Sequence, residues 1–361
     1  MTHSAHFSQS YAEARTKFLA MAAATGLDVK SHMHPLRGRH DEPLAMDVLF
    51  DGPKDAQLML IISSGCHGVE GFGGSGVQLA LLSDAAWRTA ARQAGVAVLY
   101  IHAVNPYGFS WWRRTTHENV DLNRNFHDFS KPPPANPAYD KLAALLVPPQ
   151  WPPTLMNKLS LLSFVATHGT KATQAAVSGG QYRHPRGLFY GGCSPTWSHK
   201  TLREVLREHG RQRQRIGWID LHTGLGPSGI GERIFACRNE ASALQRAGAW
   251  WGPNVTSAHD GSSTSAVLEG QMWSAIYDEC PQAEYTGIAL EYGTLPMRQV
   301  FEALRADQWL EIHPEASDGK RHRIKRQIRD AFYTDTDVWK RQVVEQAKEA
   351  AQQAIQGLVS K

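Results

Sequence analysis

Leu58-Met59-Leu60-Ile61-Ile62-Ser63-Ser64-Gly65-Cys66-His67-Gly68-Val69-Glu70-Gly71 is the stretch from which the rest of the chain can be read. Its five leading apolar residues have the length of a buried strand, and the glycines that follow permit a sharp, close-packed turn. A strand therefore delivers an imidazole and a carboxylate to its C-terminal edge. His67 and Glu70, three apart on an irregular turn, can face one cation, because imidazole nitrogen and carboxylate oxygen both suit Zn²⁺. A third ligand must come from elsewhere in the chain.

Outward from this turn, the chain alternates strand and helix. Tyr11 to Thr25 has Phe18, Leu19 and Met21 at helical spacing and stops at Gly26. Leu44 to Phe50 reads as a strand, turning at Asp51-Gly52-Pro53. After the glycines, Gly76 to Gln93 is a predicted helix, and Val96 to Ile101 another buried strand. The proline-rich stretch at about 130–153 reads as an insertion running over the surface. Helices are expected from about Leu155 to His168 and from about Thr196 to Gln212. Ile216 to Leu221 is a strand running into His222, and Gly287 to Leu290 is a strand running into Glu291. An amphipathic helix at about 335–358, with Thr334 or Asp335 as its cap, completes the chain. The pattern predicts an α/β protein, one domain over residues 1–361, with a mixed, mostly parallel β-sheet flanked by helices on both faces.

Bulk properties narrow the function. Among 361 residues, 38 basic and 34 acidic ones leave a net charge of only +4. The basic residues are scattered except at Lys320–Arg326, which reads as a solvated helix face, so no nucleic-acid partner is expected. Cys66, Cys193, Cys237 and Cys280 are far apart and form no C-x-x-C pair, which fits reduced thiols rather than a disulfide framework. Met1 to Phe7 has no basic segment followed by an apolar one, and no run of about 18 apolar residues occurs, so a cytoplasmic protein without a membrane partner is expected.

Ligands of open α/β sheets collect at the carboxyl ends of parallel strands. His67 with Glu70, His222 and Glu291 all stand at such ends, and the strand at Val96 leads to Asn105-Pro106-Tyr107-Gly108. Two histidines and one carboxylate leave a fourth zinc position open, the requirement of a hydrolytic site. The remaining glutamate could then take a proton from an activated water and pass it to a leaving amine.

Beyond Asn105 lie Arg113-Arg114 and Asp121-Leu122-Asn123-Arg124-Asn125-Phe126. With these the sequence resembles the zinc carboxypeptidase superfamily. That family's pattern is H-x-x-E, N-P-x-G, an arginine, D-x-N-R-N-[FW], a histidine closing a strand and a strand-borne glutamate, and all occur here in order from His67 to Glu291. The resemblance implies that His67, Glu70 and His222 bind one Zn²⁺ per chain and that Glu291 is the general base. It further implies that Asn123 and Arg124 grip a substrate carboxylate, a task suited to a planar guanidinium. Arg113 or Arg114, with Arg114 preferred, would stabilise the oxyanion. Asp121 is read as orienting the loop or a ligand, Asn125 and Phe126 as packing, and His117 as exposed loop.

The implied activity is zinc-dependent cleavage of an amide next to a free carboxylate, with a small peptide as substrate. Glu291-Tyr292-Gly293 together with D-L-N-R looks like the aspartoacylase and succinylglutamate desuccinylase branch, so an amidohydrolase acting on N-acyl amino acids is the second reading. A non-catalytic metal or peptide binder is the third, and Glu291 speaks against it. Tyr277 and Tyr285 are the candidates for the mobile phenol of the peptidases. Gly261 to Ser265, small and polar, is read either as a segment moving over the site or as an inert loop. Gly224-Leu225-Gly226-Pro227-Ser228-Gly229 satisfies G-x-G-x-x-G, but no helix follows to meet a pyrophosphate, and it is read as a flexible rim beside His222. Gly74-Ser75-Gly76 lacks the last glycine of a nucleophile elbow, because residue 77 is Val.

Overall fold

The computed structural model describes residues 3–360. Eight strands form one sheet: β1 (Val29–Arg37), β2 (Pro43–Asp51), β3 (Leu58–Ser64), β4 (Val96–His102), β5 (Arg215–Ser228), β6 (Gly231–Phe235), β7 (Val255–Thr256) and β8 (Glu284–Gly293). Their spatial order is β1-β2-β4-β3-β5-β8-β6-β7. The central four, β4-β3-β5-β8, are mutually parallel, while β1 on β2, β2 on β4 and β6 on β8 are antiparallel. The centre reads in the sequence as near-continuous apolar runs because both its faces are covered. By contrast β1 is a mostly exposed edge carrying Pro35, and β6 and β7 are short, so none of the three leaves a readable apolar pattern.

The helices are α1 (Tyr11–Ala24), α2 (Gly71–Leu82), α3 (Ala85–Gln93), α4 (Pro106–Trp111), α5 (Pro137–Leu146), α6 (Leu155–His168), α7 (Thr170–Ser178), α8 (Trp197–Gly210), α9 (Ala241–Trp251), α10 (Ala275–Glu279), α11 (Met297–Glu311), α12 (Asp318–Phe332) and α13 (Asp337–Val359). Several differ from the sequence expectation. The predicted helix over Gly76 to Gln93 is two helices: α2 begins inside the glycine run, and Asp84 caps α3 by accepting from the Trp87 amide. All twelve residues of α2 are buried, and its glycines make room for close neighbours: a Cβ at Gly74 would lie 2.6 Å from the Ser64 Cβ. The proline-rich insertion contains α5, which starts at Pro137 with Asn136 as its cap. The cap of α13 is Thr336, whose side chain accepts from the Trp339 amide, and neither Thr334 nor Asp335. The basic run on α12 is only partly a solvated face, for Lys325 is buried between Asp307 at 2.8 Å and Glu311 at 2.9 Å.

The connection from β3 to β4 runs to one side of β3, whereas β5 is added on its other side. β3 and β5 therefore flank the point at which strand order reverses, the position where a crevice opens beyond the carboxyl ends of the strands. Among the described residues no helix is long and apolar enough to cross a membrane, and all four cysteines are free.

Candidate active site

His67 caps and Glu70 ends a short 3₁₀ turn, Gly68–Glu70, that comes three residues after β3. The Gly68 amide donates to the Arg114 carbonyl (3.1 Å) and the Val69 amide to the Arg113 carbonyl (2.8 Å), which lays the arginine loop beside the turn. Gly68 is required there, since a Cβ would lie 2.1 Å from the Gly108 carbonyl carbon at α4. Across the sheet, His222 of β5 is in register with Glu291 of β8, and Glu291 with Glu232 of β6. Residues directly opposite in a sheet share a face, so the row His222, Glu291, Glu232 points one way.

The three expected ligands come together. One donor atom each from His67, Glu70 and His222 lie within 4.8 Å of one another, and all three residues are buried. Glu70 bridges the imidazoles: Oε1 is 2.9 Å from His67 Nδ1 and Oε2 is 2.9 Å from His222 Nδ1. On their far sides the rings meet carboxylates, His67 Nε2 with Asp121 Oδ1 at 3.2 Å and His222 Nε2 with Asp220 Oδ2 at 2.6 Å. A carboxylate on the outer ring nitrogen is the support that metal-binding histidines receive, and here both Nδ1 atoms face inward to Glu70. Nitrogen and carboxylate donors in a buried pocket of this charge fit a zinc ion.

The same charges set the proton affinities. Burial opposes ionisation of Glu70, but His67 and His222 hold its carboxyl well below the usual range. Burial likewise disfavours the His222 cation, yet Asp220 and then Glu70 raise its pKa well above 6.5. Asp121 overcomes burial through Arg114, Arg124 and His67 and stays far below its ordinary value. Glu291 goes the other way: burial and the nearby Glu70 charge push it up to about 7, while its Oε1 accepts the Leu225 amide at 3.0 Å.

The two adjacent arginines part company. Arg114 turns into the cluster, donating from Nε to Asp121 (2.9 Å) and from Nη1 to Glu70 (3.2 Å), with Nη2 2.8 Å from His67 Nε2. Arg113, the other candidate for the oxyanion role, faces away and pairs with Glu311 (3.3 Å), Asp307 (4.0 Å) and the Asn119 side chain (3.0 Å). Arg124 is buried, with Nε and Nη2 both donating to the Ser178 carbonyl at the end of α7 and Nη1 to the Asn123 carbonyl. That leaves one hydrogen on each terminal nitrogen. The Asn123 side-chain oxygen accepts the Met272 amide (3.0 Å), which leaves its NH₂ as a donor.

Other expectations meet mixed outcomes. Tyr285 is buried near the start of β8 with its hydroxyl on the Ala236 carbonyl, and Tyr277 of α10 packs on it and receives the Arg238 amide, so both stand at the end of the strand opposite Glu291. Gly224 to Ser228 continues β5 and is no flexible rim. Ser75 is buried in α2 against His102. Asn125 fastens the Gly191 and Ser194 carbonyls and Phe126 stacks on His199, both packing roles, while His117 pairs with Glu118 away from the cluster. The Gly261–Ser265 segment is tied to the strand beside Glu291, because Glu232 accepts from the Thr264 amide (3.1 Å) and hydroxyl. Asp220 was the residue to find: two positions before His222 on a strand, it must share that residue's face.

The profile of a family described as "Protein of unknown function (DUF2817)" matches residues 7–346. No curated protein matches the chain. Among solved structures, thrombin activatable fibrinolysis inhibitor aligns over 97% of this chain and 74% of its own at 13% identity, with a TM-score of 0.50. Carboxypeptidase A from Helicoverpa armigera aligns over 90% and 74% at 12% identity, TM-score 0.45. A succinylglutamate desuccinylase from Silicibacter sp. TM1040 aligns over 80% and 66% at 11% identity, TM-score 0.37. At such identities the likeness is one of fold, and the fold is the zinc carboxypeptidase-like one that the motif order implies.

Proposed function

The chain belongs to the DUF2817 family, and we propose that it is a zinc-dependent hydrolase of carboxypeptidase type that cleaves an amide bond next to a free carboxylate. One observation carries this reading: the buried donors of His67, Glu70 and His222 lie within 4.8 Å of one another, one strand from a glutamate whose pKa is pushed up to about 7. A zinc ion held by those three side chains would polarise the scissile carbonyl and lower the pKa of water.

The chain's own residues supply the rest. Arg124 presents its two remaining N–H groups as a fork for a carboxylate, and the Asn123 amide adds a third donor. Arg114 stands directly beside the proposed ligands, with Nη2 2.8 Å from His67 Nε2 and Nη1 3.2 Å from Glu70, where a guanidinium would donate to a carbonyl oxygen gaining charge. Glu291, in register with His222 on the neighbouring strand, is placed to take a proton from the attacking water and hand it to the leaving nitrogen. An N-acyl amino acid offers the same carboxylate and amide as a peptide C-terminus, so the test includes both. A panel of peptides and N-acyl amino acids, each with a free or amidated carboxyl end, should show hydrolysis of the free acids about a hundredfold faster than of the amides. Arg124→Ala should raise KM for the acids alone. Indifference to amidation would remove Arg124 from the clamp, and turnover of no compound by zinc-loaded protein would leave a binding protein.

A further inference from the structure

Arg114 and Arg124 share two neighbours. One is Asp121, 2.9 Å from Arg114 Nε and 4.0 Å from Arg124 Nη1. The other is Phe189, whose ring centroid lies 5.4 Å from the Arg114 guanidinium carbon and 5.7 Å from that of Arg124. Phe189 is buried and has φ +53°, in the left-handed region that a bulky side chain rarely adopts. Its loop is strapped on both sides: the Gln181 amide donates to the Phe189 carbonyl (3.1 Å), the Asp121 amide to the Tyr190 carbonyl (2.8 Å), and the Asn119 side chain to the Pro185 and Gly187 carbonyls. A strained aromatic held this firmly against two functional side chains points to a role beyond packing.

We propose that Phe189 is a positioning residue: its ring sets the placement of the Arg114 and Arg124 guanidiniums relative to each other, and with it the one-residue spacing between a substrate's carboxylate and its scissile amide. The proposal rests on the reading of Arg124 as the clamp and Arg114 as the oxyanion donor. Two cations sharing Asp121, Arg124 buried and Arg114 largely so, repel one another. A second carboxylate would screen them but would also repel the substrate's own carboxylate. An aromatic face attracts both guanidiniums through its quadrupole and carries no net charge, so it orders them without competing for the ligand.

The test measures binding in a zinc-loaded Glu291→Gln background, where turnover does not interfere. Calorimetry gives dissociation constants for the same panel of N-acyl amino acids and peptides as free acids and as amides. Two replacements are compared with Phe189: Phe189→Leu, and pentafluorophenylalanine, which keeps the ring's shape and inverts its quadrupole. Both should cut the preference for acid over amide by about tenfold while zinc content and melting temperature hold. An acid preference left unchanged by the fluorinated ring overturns the proposal and leaves the clamp standing. If the parent with native Phe189 binds acid and amide equally, the clamp reading falls and this proposal with it. Should Phe189→Leu fail to fold, the fluorinated ring decides alone.

Discussion

His222 lies between Asp220 at 2.6 Å and Glu70 at 2.9 Å, and that position separates holding a cation from using one. Asp220→Asn keeps the volume and one hydrogen-bonding oxygen but removes the charge that fixes the imidazole tautomer. It should weaken zinc binding by roughly 10–100-fold, read by competition with a chelator. Glu291→Gln should retain about one zinc per chain and lose several orders of magnitude in kcat, read by metal analysis beside hydrolysis. The two variants therefore fail differently, and a Glu291→Gln protein that still turns over would take Glu291 out of the mechanism. Glu291 must be unprotonated to act as base, so kcat/KM of the zinc-loaded protein should fall on the acid side, along a limb that the cation sets below the pH of about 7 at which this carboxyl titrates without one. At this scale the sequence was legible where chemistry and spacing coincide, as in His67 with Glu70. It was silent on Phe189, whose contacts to both arginines arise from a loop some seventy residues downstream of them.

The pairing of β5 with β8 is the element on which the site depends. In-register pairs run from Arg215 opposite Glu284 to Thr223 opposite Tyr292, and the ladder resumes at Ser228 opposite Gly293 after a shift. The shift brings the Pro227 carbonyl oxygen within 2.0 Å of where a Cβ on Gly293 would stand. Gly293 therefore has a packing reason, independent of any substrate that E-x-G suggests. Gly293→Ala should cost about 1–3 kcal/mol in denaturant unfolding and displace Glu291 two residues away, so activity should fall further than stability; an unperturbed melting curve would contradict the contact. Helix identity was readable from periodicity, and helix ends less so. The α2–α3 break depends on Asp84 capping one particular amide, and the α13 start on which of several polar residues reaches one.

Across the whole molecule, buried histidines tie stability to pH. Burial first, with nearby His117, Arg15 or Arg203 adding to it, lowers the pKa values of His34, His102 and His199 to about 4. The unfolded chain binds these protons near pH 6.5 and the folded chain only near pH 4. Stability is thus complete above 6.5 and is lost as pH falls through that window, by about 3 kcal/mol for fully buried His102. Urea midpoints measured from pH 7 to pH 4.5 should fall, and His102→Gln should flatten the slope; a midpoint independent of pH would show that these rings do not titrate as their burial requires. By itself, the sequence determined the α/β class, the central apolar strands and the strand-end residues His67, Glu70, His222 and Glu291, because each is encoded by its own local pattern of apolar run and turn. Only the tertiary structure decided that Arg114 rather than Arg113 faces the cluster, that Asp220 backs His222, and that Phe189 touches both arginines. The directions of side chains on irregular loops are set by the strands, helices and carbonyls packed against them, and those partners lie tens of residues or more away in the chain.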